Sequence, residues 1–170
     1  MHKLTFQREY LADARADPNL PALLARHWAE IALNQDTVPL APDWERYHQM
    51  EFAGALHITT ARDERGFIVG YAVFLVGENA HYKGLTVADG DIFYLHPSYR
   101  QGLAGLSMLR AAEDLLREVG VNMIVNKDKM HAPLGIVFKR MGYEPIETVY
   151  AKMIAAPDSA GSRSGDQNGI

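Results

Sequence analysis

The chain has 170 residues, with 17 lysines and arginines against 21 aspartates and glutamates, for a formal net charge of −4. It has no cysteine, which excludes disulfide scaffolds, thiolate metal sites and cysteine nucleophiles. The length suits one domain, the acidic balance argues against a nucleic-acid binder, and no apolar run nears the roughly 18 residues of a membrane span. Residues 1–10 carry no apolar core of a signal peptide, so the expected address is the cytoplasm, without membrane attachment.

Leu4 and Phe6 alternate with polar neighbours, a weak strand signal. Asp17, Pro18 and Asn19 set up a helix over 20–33, with Pro21 in its first turn and Leu20, Leu23, Leu24, Trp28 and Ile31 at helical spacing. A linker through Pro39 leads to a second helix over 42–55, carrying Trp44, Tyr47 and Met50. The short β-branched run 57–60, the charged turn 62–66 and the apolar run 67–76 read as a hairpin. The second of these strands is apolar almost throughout, as a strand covered on both faces would be. Residues 86–95 predict one more strand, with Asp91 inside it.

The clearest helix spans 105–119: Met108, Ala112, Leu115 and Val119 form one stripe, and Gly120 is a natural cap. A short strand at 121–125, a short helix at 133–141 and two β-like runs at 143–146 and 148–154 follow. Residues 155–170 are polar apart from the terminal Ile and hold too little apolar surface to offset the entropy of ordering. The expected organisation is one folded domain over 1–154 and a disordered tail over 155–170.

The chemistry concentrates where the strand 86–95 stops at Pro97 and a loop with Arg100, Gln101, Gly102 and Gly105 runs into a helix. Small residues let backbone approach a ligand, and the free N–H groups of a helix start favour an anion such as a pyrophosphate. A plain turn is the competing reading. No Gly-Lys-Ser/Thr follows, so the loop is not a nucleotide P-loop, and only the last two glycines of a dinucleotide fingerprint are matched. Asp91 is a carboxylate in an otherwise apolar strand: a candidate general base, or else a strand-end residue in water. Tyr94 is a candidate proton donor, or else a core tyrosine with its hydroxyl satisfied at an edge. His81, His96, Tyr143 and Tyr150 are weaker candidates. The seven histidines are scattered without metal-ligand spacing, so no metal is expected.

The run Leu95-His96-Pro97-Ser98-Tyr99-Arg100, its glycine loop and the helix that follows resemble the GNAT superfamily of acetyl-CoA-dependent N-acetyltransferases. The run Lys139-Arg140-Met141-Gly142-Tyr143-Glu144-Pro145 resembles that family's helix-to-strand ending. More loosely, His81-Tyr82 and the run 91–100 resemble a subset borne by bacteriophages and prophages. The resemblance covers about 67–154. It implies an α/β (α+β) domain: a central mixed, mostly antiparallel sheet of six or seven strands with helices on both faces. It also implies acetyl-CoA as co-substrate and direct attack by an amine in a ternary complex. The absence of cysteine agrees with that route, since no thiol can carry the acetyl group.

The resemblance assigns the oxyanion contact to the backbone N–H of Leu95. It assigns coenzyme contacts to Arg100, Gln101, Gly102, Leu103, Ala104 and Gly105, and lets His131 line the pantetheine arm where asparagine is usual. Two departures stand out: one loop glycine is displaced, and Phe138 occupies the place of the family's usual tyrosine acid. The acceptor is expected to be a small-molecule or peptide amine. A homodimer through the last two strands stays open. The alternative is a non-catalytic acyl-CoA-binding or regulatory and interaction module on the same fold.

Overall fold

The computed structural model describes residues 3–155. The expected tail falls almost wholly outside the described residues. The elements in chain order are β1 (Thr5–Glu9), α1 (Leu11–Ala16), α2 (Leu20–Ile31), α3 (Trp44–Phe52), β2 (Leu56–Arg62) and β3 (Ile68–Glu78). Then follow β4 (Thr86–Leu95), a 3-10 turn (Pro97–Tyr99), α4 (Ala104–Glu118), β5 (Met123–Asn126) and α5 (Gly135–Arg140). The strands form one sheet in the order β1-β2-β3-β4-β5, antiparallel except for the parallel pair β4 and β5. A parallel pair needs a crossover, and α4 supplies it.

Both faces of the sheet are covered. Alternation sends Ile58, Tyr71, Val73 and Tyr94 to one face, where they pack with Leu11, Leu20 and Leu23 of α1 and α2, and with Trp44, Tyr47 and Met50 of α3. Ala72, Phe74 and Leu95 go to the other face, joined by Val69, the extra residue of a bulge opposite Ala61 and Arg62, and meet Met108, Ala112 and Leu116 of α4. This double cover is why β3 reads as nearly continuous apolar sequence. On α4 the buried stripe is Met108, Leu109, Ala112 and Leu116, so Leu109 belongs to the core face and Val119 is exposed.

The helix starts follow local chemistry. Asp43 caps α3 by accepting from the Arg46 N–H, which delays that helix by two residues relative to its proline start. Asp17 closes the α1–α2 corner and ties it to the hairpin. Its carboxylate accepts from the Asn19 and Ile68 N–H groups and from the Arg62 guanidinium. Arg62 also binds Glu9, which accepts a further bond from the Thr60 hydroxyl.

The strand count differs from expectation: five strands, not six or seven, are present among the described residues. The runs 143–146 and 148–154 form no ladder, and Ile146, Val149, Tyr150 and Ile154 stay exposed. Those four side chains gain little burial, and Pro145 lacks a backbone donor. Of the fold class, the mixed, mostly antiparallel sheet with helices on both faces is present. No helix among the described residues is long and apolar enough to cross a membrane.

Candidate active site

The site is made by two irregularities in β4. The first is a bulge. Val73 pairs with Ile92 and Phe74 with Gly90, which leaves Asp91 as the extra residue. A bulge re-aims a side chain that strict alternation would place elsewhere. Asp91 lines a cavity of about 960 Å³ and its charge acts on Tyr47 of α3. Burial first, and Asp91 second, push the Tyr47 phenol up.

The second irregularity is a splay. Pairing of β4 with β5 runs from Val87↔Met123 to Gly90↔Asn126 and stops there, while β4 continues to Leu95. Gly90 sits at the branch point. A Cβ there would overlap Asn126 Oδ1 and lie 3.1 Å from the Val125 carbonyl oxygen. Beyond this point the edge of β4 faces the cavity. The His96 N–H bonds to the Val69 carbonyl of β3, so alternation turns the Leu95 N–H away from β3 and into the opening. Leu95 itself is buried, and its carbonyl accepts from Arg100 Nε at 2.6 Å.

The glycine loop closes one end of the cavity. Gly102 holds a φ of +57°, a conformation L side chains rarely adopt, and so turns the chain into α4. No side chain caps α4, whose first-turn N–H groups lack intrahelical acceptors. Gly102, Leu103, Gly105 and Leu106 line the cavity there, opposite Pro133, Val137 and Phe138. An uncapped helix start over small residues is a cradle for an anion.

The structure adds a network that sequence reading does not single out. His27 of α2 stacks on Tyr94, with ring centroids 4.5 Å apart, and its Nδ1 lies 2.7 Å from the Tyr71 hydroxyl. The Tyr94 hydroxyl donates to Glu30 at 2.8 Å, and Arg100 donates to both Glu30 oxygens. Burial, then the Lys129 charge, holds the His27 imidazole down at about 4, so the ring is neutral near pH 7. Burial, then Glu30, pushes Tyr94 up to about 12, which makes it a weak acid with its proton already engaged. These partners lie 44 to 70 positions apart, so no local pattern could reveal them.

Among the residues singled out from sequence, Asp91, Tyr94, Leu95, Arg100, Gly102, Leu103 and Gly105 share the cavity lining. Gln101 and Ala104 sit in the same turn, joined by a bond from the Ala104 N–H to the Gln101 carbonyl. His131 lies against α2, its Nε2 3.0 Å from the Ile31 carbonyl, and does not line the cavity. Arg100 is engaged by Glu30 and lies over the Tyr94 ring at 5.1 Å. Phe138 is buried at the α5 side, against Tyr143. Tyr143 faces Glu113 of α4, where burial pushes its phenol up. Among the described residues, no three His, Asp or Glu side chains gather as a metal site.

No family model matches the chain, and no curated protein does. Solved structures do. Glucosamine-6-phosphate N-acetyltransferase from Arabidopsis thaliana superposes with a TM-score of 0.67 at 12% identity, covering 90% of this chain and 99% of that one. A predicted acetyltransferase with acetyl-CoA from Clostridium acetobutylicum gives 0.65 at 15%, covering 89% and 96%. The chain has the fold of the GNAT acetyltransferases. A transcriptional regulator from Bacillus halodurans C-125 also superposes, with a TM-score of 0.68 at 15% identity, covering 89% and 99%. The same fold thus serves proteins of different description, and at these identities the likeness speaks for architecture. In this chain the GNAT fold places the β4–β5 splay, the bulge and the uncapped helix around one cavity.

Proposed function

We propose that the protein transfers an acetyl group from acetyl-CoA to an amine by direct attack. One observation carries this reading: β4 runs past its last pairing with β5, and Leu95 and Asp91 line the same cavity. The coenzyme's thioester arm would enter the splay, with its pyrophosphate at the start of α4. Asp91 takes the proton of the incoming ammonium, directly or through a water. The amine nitrogen then bonds to the thioester carbon, and the Leu95 N–H meets the oxyanion that develops. The carbon–sulfur bond breaks, the attacking nitrogen loses its second proton, and the coenzyme leaves as a thiol with that proton. Tyr94 positions this edge through Glu30 rather than titrating.

A second reading has an observation behind it. Phe138 stands where a tyrosine acid is expected from the resemblance, which favours a module that binds an acyl-CoA without using it. Two measurements separate the readings. Saturating acetyl-CoA should raise the melting temperature under both, because ligand bound only to the native state stabilises it. Thiol release with a panel of amines occurs only under the first. Asp91→Asn should lower turnover at least tenfold while the coenzyme-induced melting shift stays the same. Unchanged turnover removes Asp91 from the mechanism.

A further inference from the structure

We infer that the acceptor is a primary amine carried on an apolar, aromatic body, an arylalkylamine in chemical class, with its ammonium at Asp91. The inference rests on the acetyl-transfer reading for the word acceptor, but its evidence is the half of the cavity under α2 and α3. Trp28 and Ile31 of α2, Trp44 and Tyr47 of α3, and Val73 and Ile92 of the sheet line that half. The linker between α2 and α3 covers it with Leu33, Val38 and Leu40.

Several polar groups near these walls are already paired. His27 meets Tyr71, and Tyr94 meets Glu30. The Glu30 charge is balanced by Arg100. The remaining carboxylate of the lining is Asp91, an exposed side chain at the bulge whose charge reaches Tyr47. The cations Lys127, Lys129 and Arg140 come from the end of β5, the loop after it and α5. Lys127 is itself paired with Asp89.

This arrangement discriminates. An aromatic body gains from burial against apolar walls, and an ammonium gains from a carboxylate beside aromatic faces. A sugar amine carries more hydroxyls than the Tyr47 hydroxyl and the two indole N–H groups of these walls can pair, and each hydroxyl left unpaired opposes binding. An anionic isostere of the arylalkylamine would meet Asp91 as a like charge.

The chain's two tryptophans, Trp28 and Trp44, both line this half. Their emission therefore reads occupancy without any chemistry. The full-length protein is titrated with 2-phenylethylamine, 2-phenylethanol, phenylacetate and glucosamine. The expected result is a saturable change with 2-phenylethylamine, at a Kd at least tenfold below those of phenylacetate and glucosamine. Asp91→Asn should erase the amine's advantage over 2-phenylethanol and leave 2-phenylethanol binding unchanged. Glucosamine binding as tightly as 2-phenylethylamine, or no saturable response to 2-phenylethylamine up to millimolar concentration, overturns the inference. Thiol release from acetyl-CoA is followed in parallel. Release with glucosamine alone overturns the ligand class and leaves acetyl transfer standing. Saturable 2-phenylethylamine binding with no release for any amine supports the ligand class and sinks acetyl transfer.

Discussion

His57 lies on β2 with 2% of its surface exposed, its Nε2 3.3 Å from the Thr59 hydroxyl and its Nδ1 unpartnered among the described residues. Burial, helped by the Arg8 charge, lowers the imidazole from 6.5 to about 4. The unfolded chain therefore binds a proton near pH 6.5 that the folded chain takes up only near pH 4. Stability is full above the unfolded value and falls as pH drops through the window between the two. The slope there approaches ~1.4 kcal/mol per pH unit for one histidine. His57→Gln should flatten the pH dependence of urea unfolding between pH 6.5 and 4 by up to that slope. An unaltered slope would mean that His57 titrates alike in both states. His27 has the same sign of shift but sits half-buried in the cavity wall, so its share is smaller.

At the scale of elements, two joints hold the site in place. Arg62 joins β2 to Glu9 of β1 and to Asp17 at the helical corner, with the two carboxylates 6% and 3% exposed. Removing the cation strands two buried charges, a loss of ~3–5 kcal/mol. Arg62→Ala should lower the urea midpoint accordingly, and a loss below ~1 kcal/mol would show that water replaces the guanidinium. The second joint is Gly90. Gly90→Ala drives a methyl into Asn126 Oδ1, so β4 and β5 must part at the root of the splay. The expected cost is ~1–3 kcal/mol by overpacking, with a weaker acetyl-CoA melting shift. An intact shift would detach the branch point from coenzyme binding. The elements that were legible in sequence share a cause. β3 is a long apolar run, β4 ends in one at Ile92–Leu95, and α4 repeats its apolar stripe over four turns. Asp91 was legible as a charge out of place, but the bulge that aims it depends on the register with Val73 and Phe74. α1 is six residues long, too short to show a period. The runs 143–146 and 148–154 carry strand composition, yet composition cannot supply a ladder partner. Arg62, Glu9 and Asp17 meet across 45 to 53 positions, as do the partners of Glu30 across 64 and 70, so both networks were invisible until the chain was folded.

For the molecule as a whole, strand order in the sheet equals strand order in the chain. β2, β3 and β4 are joined by short turns, so their pairings form across little intervening chain. Pairing β1 to β2 must wait for three helices to be gathered, and pairing β5 to β4 must close over the whole of α4. Loop closure of that kind is opposed by entropy before any contact compensates it. The meander is thus the expected folding nucleus, with the two flanking strands expected to join it after the rate-limiting step. Stopped-flow chevrons of Val73→Ala should show slower folding with little change in unfolding, whereas Ile124→Ala should chiefly speed unfolding. Equal effects on both limbs would indicate a sheet that assembles at once. The consequence reaches the site: the splay, set between the meander and its late-joining strand, is a seam between parts of the chain that acquire structure at different times.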